Sequence, residues 1–495
     1  MLAAVISVSI VLPSFALDKK CGCGFSPVIY VGPLGCADIV RDAGKESEQR
    51  LWKTDTKFLL KNFGKVNGTL LKGIALKDYD AVADAVVEFV NLSFGDLALD
   101  SEGNSHKNVT VPNLNIPDSS EHGVDISFYF DYDFRLDPYI HARRLNDCIQ
   151  QIKKLTGHSK VQLKASSMGG VVLSAYLDTY GYKDVETVIC QCCPLWGTAV
   201  AGELFCGKFE LNPVSLRRYA QTAIPSLDGG DAAQSLLYFL TDAFRITGIW
   251  NMIIALGNRI SGIIIDRVYS EALIPIFGTM PGIWSFVPAE YFDTALEYMK
   301  VSRSGGLYRQ ILHYRTAQSH IAANLRKAKN AGVKTYIFCG YNIQRTPLVS
   351  AWKNTSDGTV DTKYASLGAT CADLGETLDP GYIDSLKDKK YLSPDCMIDA
   401  STCALPDCTW FNRDWLHCNG QPAIDRFYEK LLTSKKQLTV FSMKEYPQFL
   451  QNDKNAATLL PVTGEYNYRE LFRQNPSLLN LTRIASDFIF GKHNR

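Results

Sequence analysis

The sequence predicts an α/β protein with a mostly parallel central sheet, and three observations carry that prediction. Short apolar runs of strand length alternate with segments of helical periodicity. Glycine or proline punctuates the runs. At 495 residues, 46% of them apolar, the chain can cover both faces of a sheet. Residues 27–31 open the pattern as a short strand ended by Gly32-Pro33, and 123–132 read as a second strand. Residues 141–155 place Leu145, Cys148, Ile149, Ile152 and Leu155 on one helical face. Next come a strand over 160–166, a helix over 168–181 ending in Gly181, and a strand over 185–193. The run 334–341 resumes the sheet after a gap. That gap, 206–330, is apolar and rich in aromatics. It is expected as a helical cap inserted between a first core part, 17–205, and a second, 331–495. No internal repeat or low-complexity tract interrupts this plan.

Lys and Arg number 52 against 51 Asp and Glu, a net charge of +1 with no basic block, so a nucleic-acid partner has no electrostatic footprint. Residues 2–12 are apolar or small, Pro13 breaks the run, and Ser14-Phe15-Ala16 supplies a small-x-small site. Residues 1–16 therefore read as a secretory signal peptide, although no Lys or Arg precedes the apolar stretch. The 14 cysteines and the sequons at Asn67, Asn91, Asn108, Asn354 and Asn480 fit a secreted or endomembrane-lumen protein. The most span-like later segment, 246–265, is broken by Asn251, Asn258, Arg259 and glycines, and reads as a buried or interfacial helix pair. Cys21/Cys23 and Cys403/Cys408 are closely spaced but have no histidine at ligand spacing. They are expected in disulfides, with no metal site. Cys190, Cys192 and Cys193 lie on an apolar run and are expected as buried thiols.

Between the strand at 160–166 and the helix that follows stands Ala165-Ser166-Ser167-Met168-Gly169, a small-x-Ser-x-Gly turn. A serine held up on such a strained elbow needs small residues two positions before and after it, and Ala165 and Gly169 meet that demand. The helix N-terminus and the Met168 N–H would then face a developing oxyanion. A serine needs a base and an orienting acid, which in an α/β-hydrolase fold follow it in the order acid, then histidine. Beyond Ser167 lie His313, His320, His417 and His493. His493 is near the chain end, and His313 and His320 precede the strand at 334–341. His417 stands in a loop before a helix opened by Pro422, so it is the expected base. For the acid, Asp357 at an Asp-Gly corner leads, with Asp361, Asp399 and Asp414 as rivals.

Taken together, Asp131 to Arg135, Ser167 to Gly170, Pro194 to Thr198, Asp357 to Val360 and His417 resemble, in order, the motifs of the lecithin:cholesterol acyltransferase family. That family includes lysosomal phospholipases A and phospholipid:diacylglycerol acyltransferases. The likeness runs unevenly over about residues 25–430 and implies Asp357 as the acid. There are three departures. Ser166 replaces the family's histidine before the nucleophile. The first-strand loop reads Val31-Gly32-Pro33-Leu34-Gly35 where the family has Val-Pro-Gly. The tryptophan expected in a lid, Trp52, is not bracketed by cysteines. That first loop supplies the second oxyanion N–H in the family, and since Pro33 cannot donate, Leu34 is expected to do so. Trp196 and Trp52 are the implied substrate-binding residues.

The resemblance thus implies an α/β-hydrolase with no cofactor. It would cleave a fatty acyl ester of a phospholipid through an acyl-enzyme, pass the acyl group to water or a lipid alcohol, and associate transiently with a lipid interface. The alternatives are a general secreted carboxylesterase or triglyceride lipase and a lipid-binding pseudo-hydrolase.

Overall fold

The computed structural model describes residues 23–52, 56–112, 114–123, 125–210, 264–345, 349–453 and 457–463. The leader, Cys21, most of 246–265, the cap aromatics Phe239, Phe244 and Trp250, Asn480 and His493 lie outside the described residues.

The chain is α/β, with an eight-stranded central sheet. Its strands are β1 Val28–Val31, β2 Ser127–Phe130, β3 Val161–Ser166, β4 Val185–Gln191, β5 Lys334–Tyr341, β6 Thr409–Arg413, β7 Phe449–Asn452 and β8 Leu459–Pro461. The order is β8-β7-β6-β5-β4-β3-β1-β2. Every neighbouring pair is parallel except β7 and the edge strand β8.

Alternation along the strands divides the apolar side chains between two faces. Ile29, Val31, Leu163, Ala165, Val188 and Cys190 join one core cluster. Their helical partners there are α3 (Pro138–Thr156), α4 (Gly169–Tyr180) and α6 (Gly306–Asn330). Val28, Ile189, Tyr336, Phe338 and Trp410 face the other way, onto Ile424, Phe427, Tyr428 and Leu431 of α7 (Pro422–Thr433). Helix α3 shows why these segments are helical. Asp137 caps it by accepting from the Tyr139 N–H, Pro138 occupies its first turn, its buried stripe includes Leu145, Ile149 and Ile152, and Gly157 ends it at φ 70°.

A helical hairpin, α1 (Thr56–Leu76) and α2 (Tyr79–Phe94), stands between β1 and β2 and was not assigned from the sequence. A short helix α5 (Ala199–Phe205) leads out of the core. It joins Trp284, Phe292, Leu296 and Met299 of the following segment in a separate apolar cluster. The expected cap segment, 206–330, ends in a helix that packs on both the core and the cap-side cluster. Helix α6 is the crossover into β5, and its Tyr314, Ala317, Ile321 and Leu325 are part of the main core. A parallel strand requires such a return, and the first turns of the same helix, at Leu307 and Ile311, join the Trp284 cluster.

No disulfide joins two of the described cysteines. The pairing expected of Cys403 with Cys408 is corrected: both are separately buried thiols, and Cys408 accepts a hydrogen bond from Gln437 Nε2 at 3.5 Å. Cys190, Cys192 and Cys193 are buried thiols. Among the described residues no helix is long and apolar enough to cross a membrane.

The order of strands fixes where a site can form. From β1 the chain moves outward to β2, and from β3 it moves the other way to β4, so the loops leaving β1 and β3 diverge. A crevice outside the carboxyl ends of these two strands is the usual ligand position of an open parallel sheet.

Candidate active site

Ser167 sits at that crevice, directly after β3, at φ 50°. The left-handed region is costly for serine and persists only where the surroundings enforce it. Here the Ser167 N–H donates to Gln191 O of β4 at 2.9 Å, and the helix α4 begins at once. The small residues of the turn have a steric cause. A Cβ on Gly169 would lie 2.2 Å from Val31 O, and one on Gly170 2.4 Å from Cys193 Cβ. The elbow is therefore pressed against the end of β1 and the chain leaving β4.

Asp357 is placed by the loop after β5. Its Oδ1 accepts from the N–H groups of Thr359 (3.0 Å) and Val360 (2.8 Å), with Gly358 at φ 94° making the corner. Its Oδ2 faces His417 Nδ1 at 2.8 Å, and the carboxylate is buried. His417 follows β6, held by Trp415, which is fully buried and donates through Nε1 to Asn419 O. The His417 N–H donates to Asp357 O at 2.8 Å, so backbone and side chain are both tied to the acid. His417 Nε2 stands 2.8 Å from Ser167 Oγ. With Nδ1–H donating to Asp357, Nε2 is left to accept from the serine hydroxyl. The three expected residues thus form one hydrogen-bonded line.

Burial opposes charge on the His417 imidazole, but the Asp357 carboxylate, by its charge and its hydrogen bond, and Cys418 together outweigh it. The group is held well above the ordinary histidine value of 6.5. Cys418 and Cys192 are a part of the site that went unread in the sequence. Their sulfurs and a His417 ring nitrogen all lie within 4.8 Å of one another. A hydrogen bond from Cys192, and then His417, draw the Cys418 thiol below its usual range against the effect of burial. Burial drives the Cys192 thiol upward.

Met168 is buried at the start of α4, and neither its N–H nor that of Leu34 has a backbone acceptor among the described residues. The Leu34 loop is braced by the chain leaving β2: the Tyr132 hydroxyl donates to Gly32 O at 2.8 Å. Arg135, wholly buried, forks onto Asp133 through Nε–Oδ1 (2.9 Å) and Nη2–Oδ2 (2.6 Å), locking the segment that carries Tyr132. Trp52 lies against the same loop. A Cβ on Gly35 would meet its Nε1 at 2.3 Å, and its ring centre is 4.6 Å from that of Phe134.

The tryptophans occupy different places. Trp196 lines a cavity of ≈ 570 Å³ with Glu290, Arg315 and Tyr364. A second cavity of ≈ 340 Å³ is lined by Thr198, Phe205, Phe277, Phe286, Met299 and Thr359, and Thr359 is one of the residues that hold Asp357.

The rival acids are committed elsewhere. Asp361 pairs with Arg345 Nη2 at 2.9 Å, both fully buried, and accepts from the Ala199 N–H. Asp399 caps a turn through the Ser401 N–H, and Asp414 accepts from Asn342 Nδ2. Of the other histidines described beyond Ser167, His313 stacks on Tyr139 and His320 pairs with Asp178.

No protein-family model matches the chain, and no curated protein is detectably similar to it.

Proposed function

We propose that the chain is a serine-dependent lipid acyl hydrolase and acyltransferase of the α/β-hydrolase fold, akin to the lecithin:cholesterol acyltransferase family that its motifs resemble. The observation that carries this reading is the Ser167–His417–Asp357 line at the carboxyl ends of parallel strands, in the chain order of that fold. Ser167 Oγ attacks the ester carbonyl as its proton passes to His417 Nε2, and Asp357 stabilises the imidazolium. The Met168 and Leu34 N–H groups bind the oxyanion; losing one such donor costs about 2.7–4 kcal/mol. The protonated Nε2 then gives its proton to the departing alcohol, leaving an acyl-enzyme. Water or a lipid alcohol attacks next, its proton taken by the same nitrogen, and Ser167 is regenerated.

The apolar cavity beside Thr359 favours a fatty acyl chain over a short acid. The expected enzyme is a phospholipase A-type hydrolase with side transferase activity. The test has two parts. A fluorophosphonate probe is expected to label the folded chain, with labelling abolished by Ser167→Ala and retained by Ser166→Ala. Phospholipid vesicles are then incubated with and without a lipophilic alcohol, measuring free fatty acid against acylated alcohol. Absence of labelling in folded protein would make the chain a lipid-binding pseudo-hydrolase. Labelling with turnover of soluble esters alone would make it a carboxylesterase. Fatty acid that appears only when the alcohol is present would make it a dedicated transferase.

A further inference from the structure

Away from the triad, three ligating side chains converge at the opposite end of the sheet. Cys23 Sγ lies 3.2 Å from His158 Nε2 and 3.4 Å from His122 Nε2, and the two imidazole nitrogens are 3.1 Å apart. No spacing along the chain foretells this, since the histidines are 99 and 135 residues away from the cysteine. The topology brings them together. Cys23 stands just ahead of β1, His122 just ahead of β2 and His158 just ahead of β3. These three strands are neighbours in the order β3-β1-β2, with Val28 level with both Ser127 and Gln162. Similar offsets from these aligned positions, five residues for Cys23 and His122 and four for His158, bring the three side chains together at the amino ends of the strands.

The arrangement has the dimensions of a metal site. Tetrahedral zinc, with Zn–N about 2.0–2.1 Å and Zn–S about 2.3 Å, sets ligand atoms roughly 3.3–3.7 Å from one another. The observed separations are within a few tenths of an ångström of that range. One ring is also oriented for the purpose. His122 Nδ1 is 2.8 Å from Ser120 O, so with its proton given to that carbonyl, Nε2 carries a lone pair toward Cys23 and His158. A backbone carbonyl on the far nitrogen is the usual support of a ligating histidine. One thiolate and two imidazoles suit zinc better than magnesium or calcium, which prefer oxygen.

We propose that Cys23, His122 and His158 supply three ligands of a zinc ion, with water as the fourth, and that the ion staples the amino ends of β1, β2 and β3. The two strands whose other ends carry the Leu34 loop and Ser167 are fastened by it. The staple takes no part in the acyl chemistry and is independent of the activity proposed above.

The test uses the full chain, purified under reducing conditions and freed of loosely held metal. Elemental analysis is expected to find about one zinc per chain, and Cys23→Ser to lose it. Cobalt substitution is expected to produce a thiolate-to-metal absorption band that is absent in Cys23→Ser. Zinc is expected to raise the melting temperature of the parent chain and not that of the variant, while fluorophosphonate labelling of Ser167 persists in the variant at low temperature. Should Cys23→Ser fail to fold, His158→Asn is measured by zinc competition, with at least a tenfold loss of affinity expected. Cys418→Ser is the control, because the thiols beside the triad could also hold a soft metal; it is expected to keep its zinc. The proposal falls if the parent chain binds well under one zinc. It also falls if Cys23 is found in a disulfide, or if Cys418→Ser rather than Cys23→Ser abolishes binding.

Discussion

His417 faces a carboxylate on one nitrogen and a serine hydroxyl on the other, with Cys418 next to it in the chain. Its raised pKa has a definite consequence for rate. In the proposed mechanism the base must be neutral to accept the Ser167 proton, so activity is expected to be lost, as pH falls, at a higher pH than an ordinary histidine would give. Asp357→Asn removes the charge that raises it. The acid limb of kcat/KM is expected to move to lower pH while kcat drops on the order of 10⁴-fold. Cys418→Ser is expected to shift the same limb downward with a much smaller loss of kcat, because only the neighbouring thiol is removed. An unmoved limb in both variants would show that another group limits the rate. Stability has the matching sign. A histidine raised on folding contributes below its unfolded pKa, and that contribution is lost as pH rises through the folded value.

Among the elements, the elbow and the loop after β5 are where geometry is most constrained. Gly169→Ala forces a methyl to 2.2 Å from Val31 O, and backbone cannot step aside as a flexible side chain can. A loss of about 3 kcal/mol or more is expected in urea unfolding, the upper end for overpacking. The buried Arg345–Asp361 pair ties that loop to the first turn of α5 through the Ala199 N–H. Arg345→Ala leaves the carboxylate buried and unpaired, and a loss of about 3–5 kcal/mol is expected by the same measurement. Burial works against the Asp361 charge, yet Arg345 and the hydrogen bonds hold its pKa below the usual 3.8. Its contribution is therefore present above the unfolded carboxylate value and lost as pH falls through the lower folded one. The strands around Ser167 were legible because they are apolar and bounded by Gly and Pro. Helices α1 and α2 were not assigned: no flanking strand pattern marked them out, and only the end of α2, at Val90 and Phe94, is packed against the main core.

On the scale of the whole chain, the sequons separate by environment. Asn67, Asn91 and Asn108 are exposed, Asn91 with its Nδ2 on Glu271 O at 3.3 Å on the surface, whereas Asn354 is half-buried and gives its Nδ2 to the fully buried Asp361 at 2.6 Å. Expressed through a glycosylating secretory route, the chain is expected to carry glycans at the first three and none at Asn354. Site-resolved mass spectrometry reads this directly, and an occupied Asn354 would mean that the Asp361 network forms only after modification or not at all.

Order along the chain nominated Ser167 and His417, because a small-x-Ser-x-Gly elbow between strand and helix leaves few histidines downstream, but left Asp357 with three rivals until the family resemblance singled it out. Local pattern also determined the parallel sheet, since alternating strands and amphipathic helices have few other ways to bury their apolar faces. Contact between distant residues was decided by the tertiary structure alone. Only the fold pairs Cys418 with Cys192, sets Tyr132 under the Leu34 loop, claims Asp361 for Arg345 and divides α6 between the core and the Trp284 cluster. It likewise gathers Cys23, His122 and His158 beneath three strands. The physical reason is that periodicity reports which face of an element is buried, whereas the register of neighbouring strands decides which side chains from remote parts of the chain meet there.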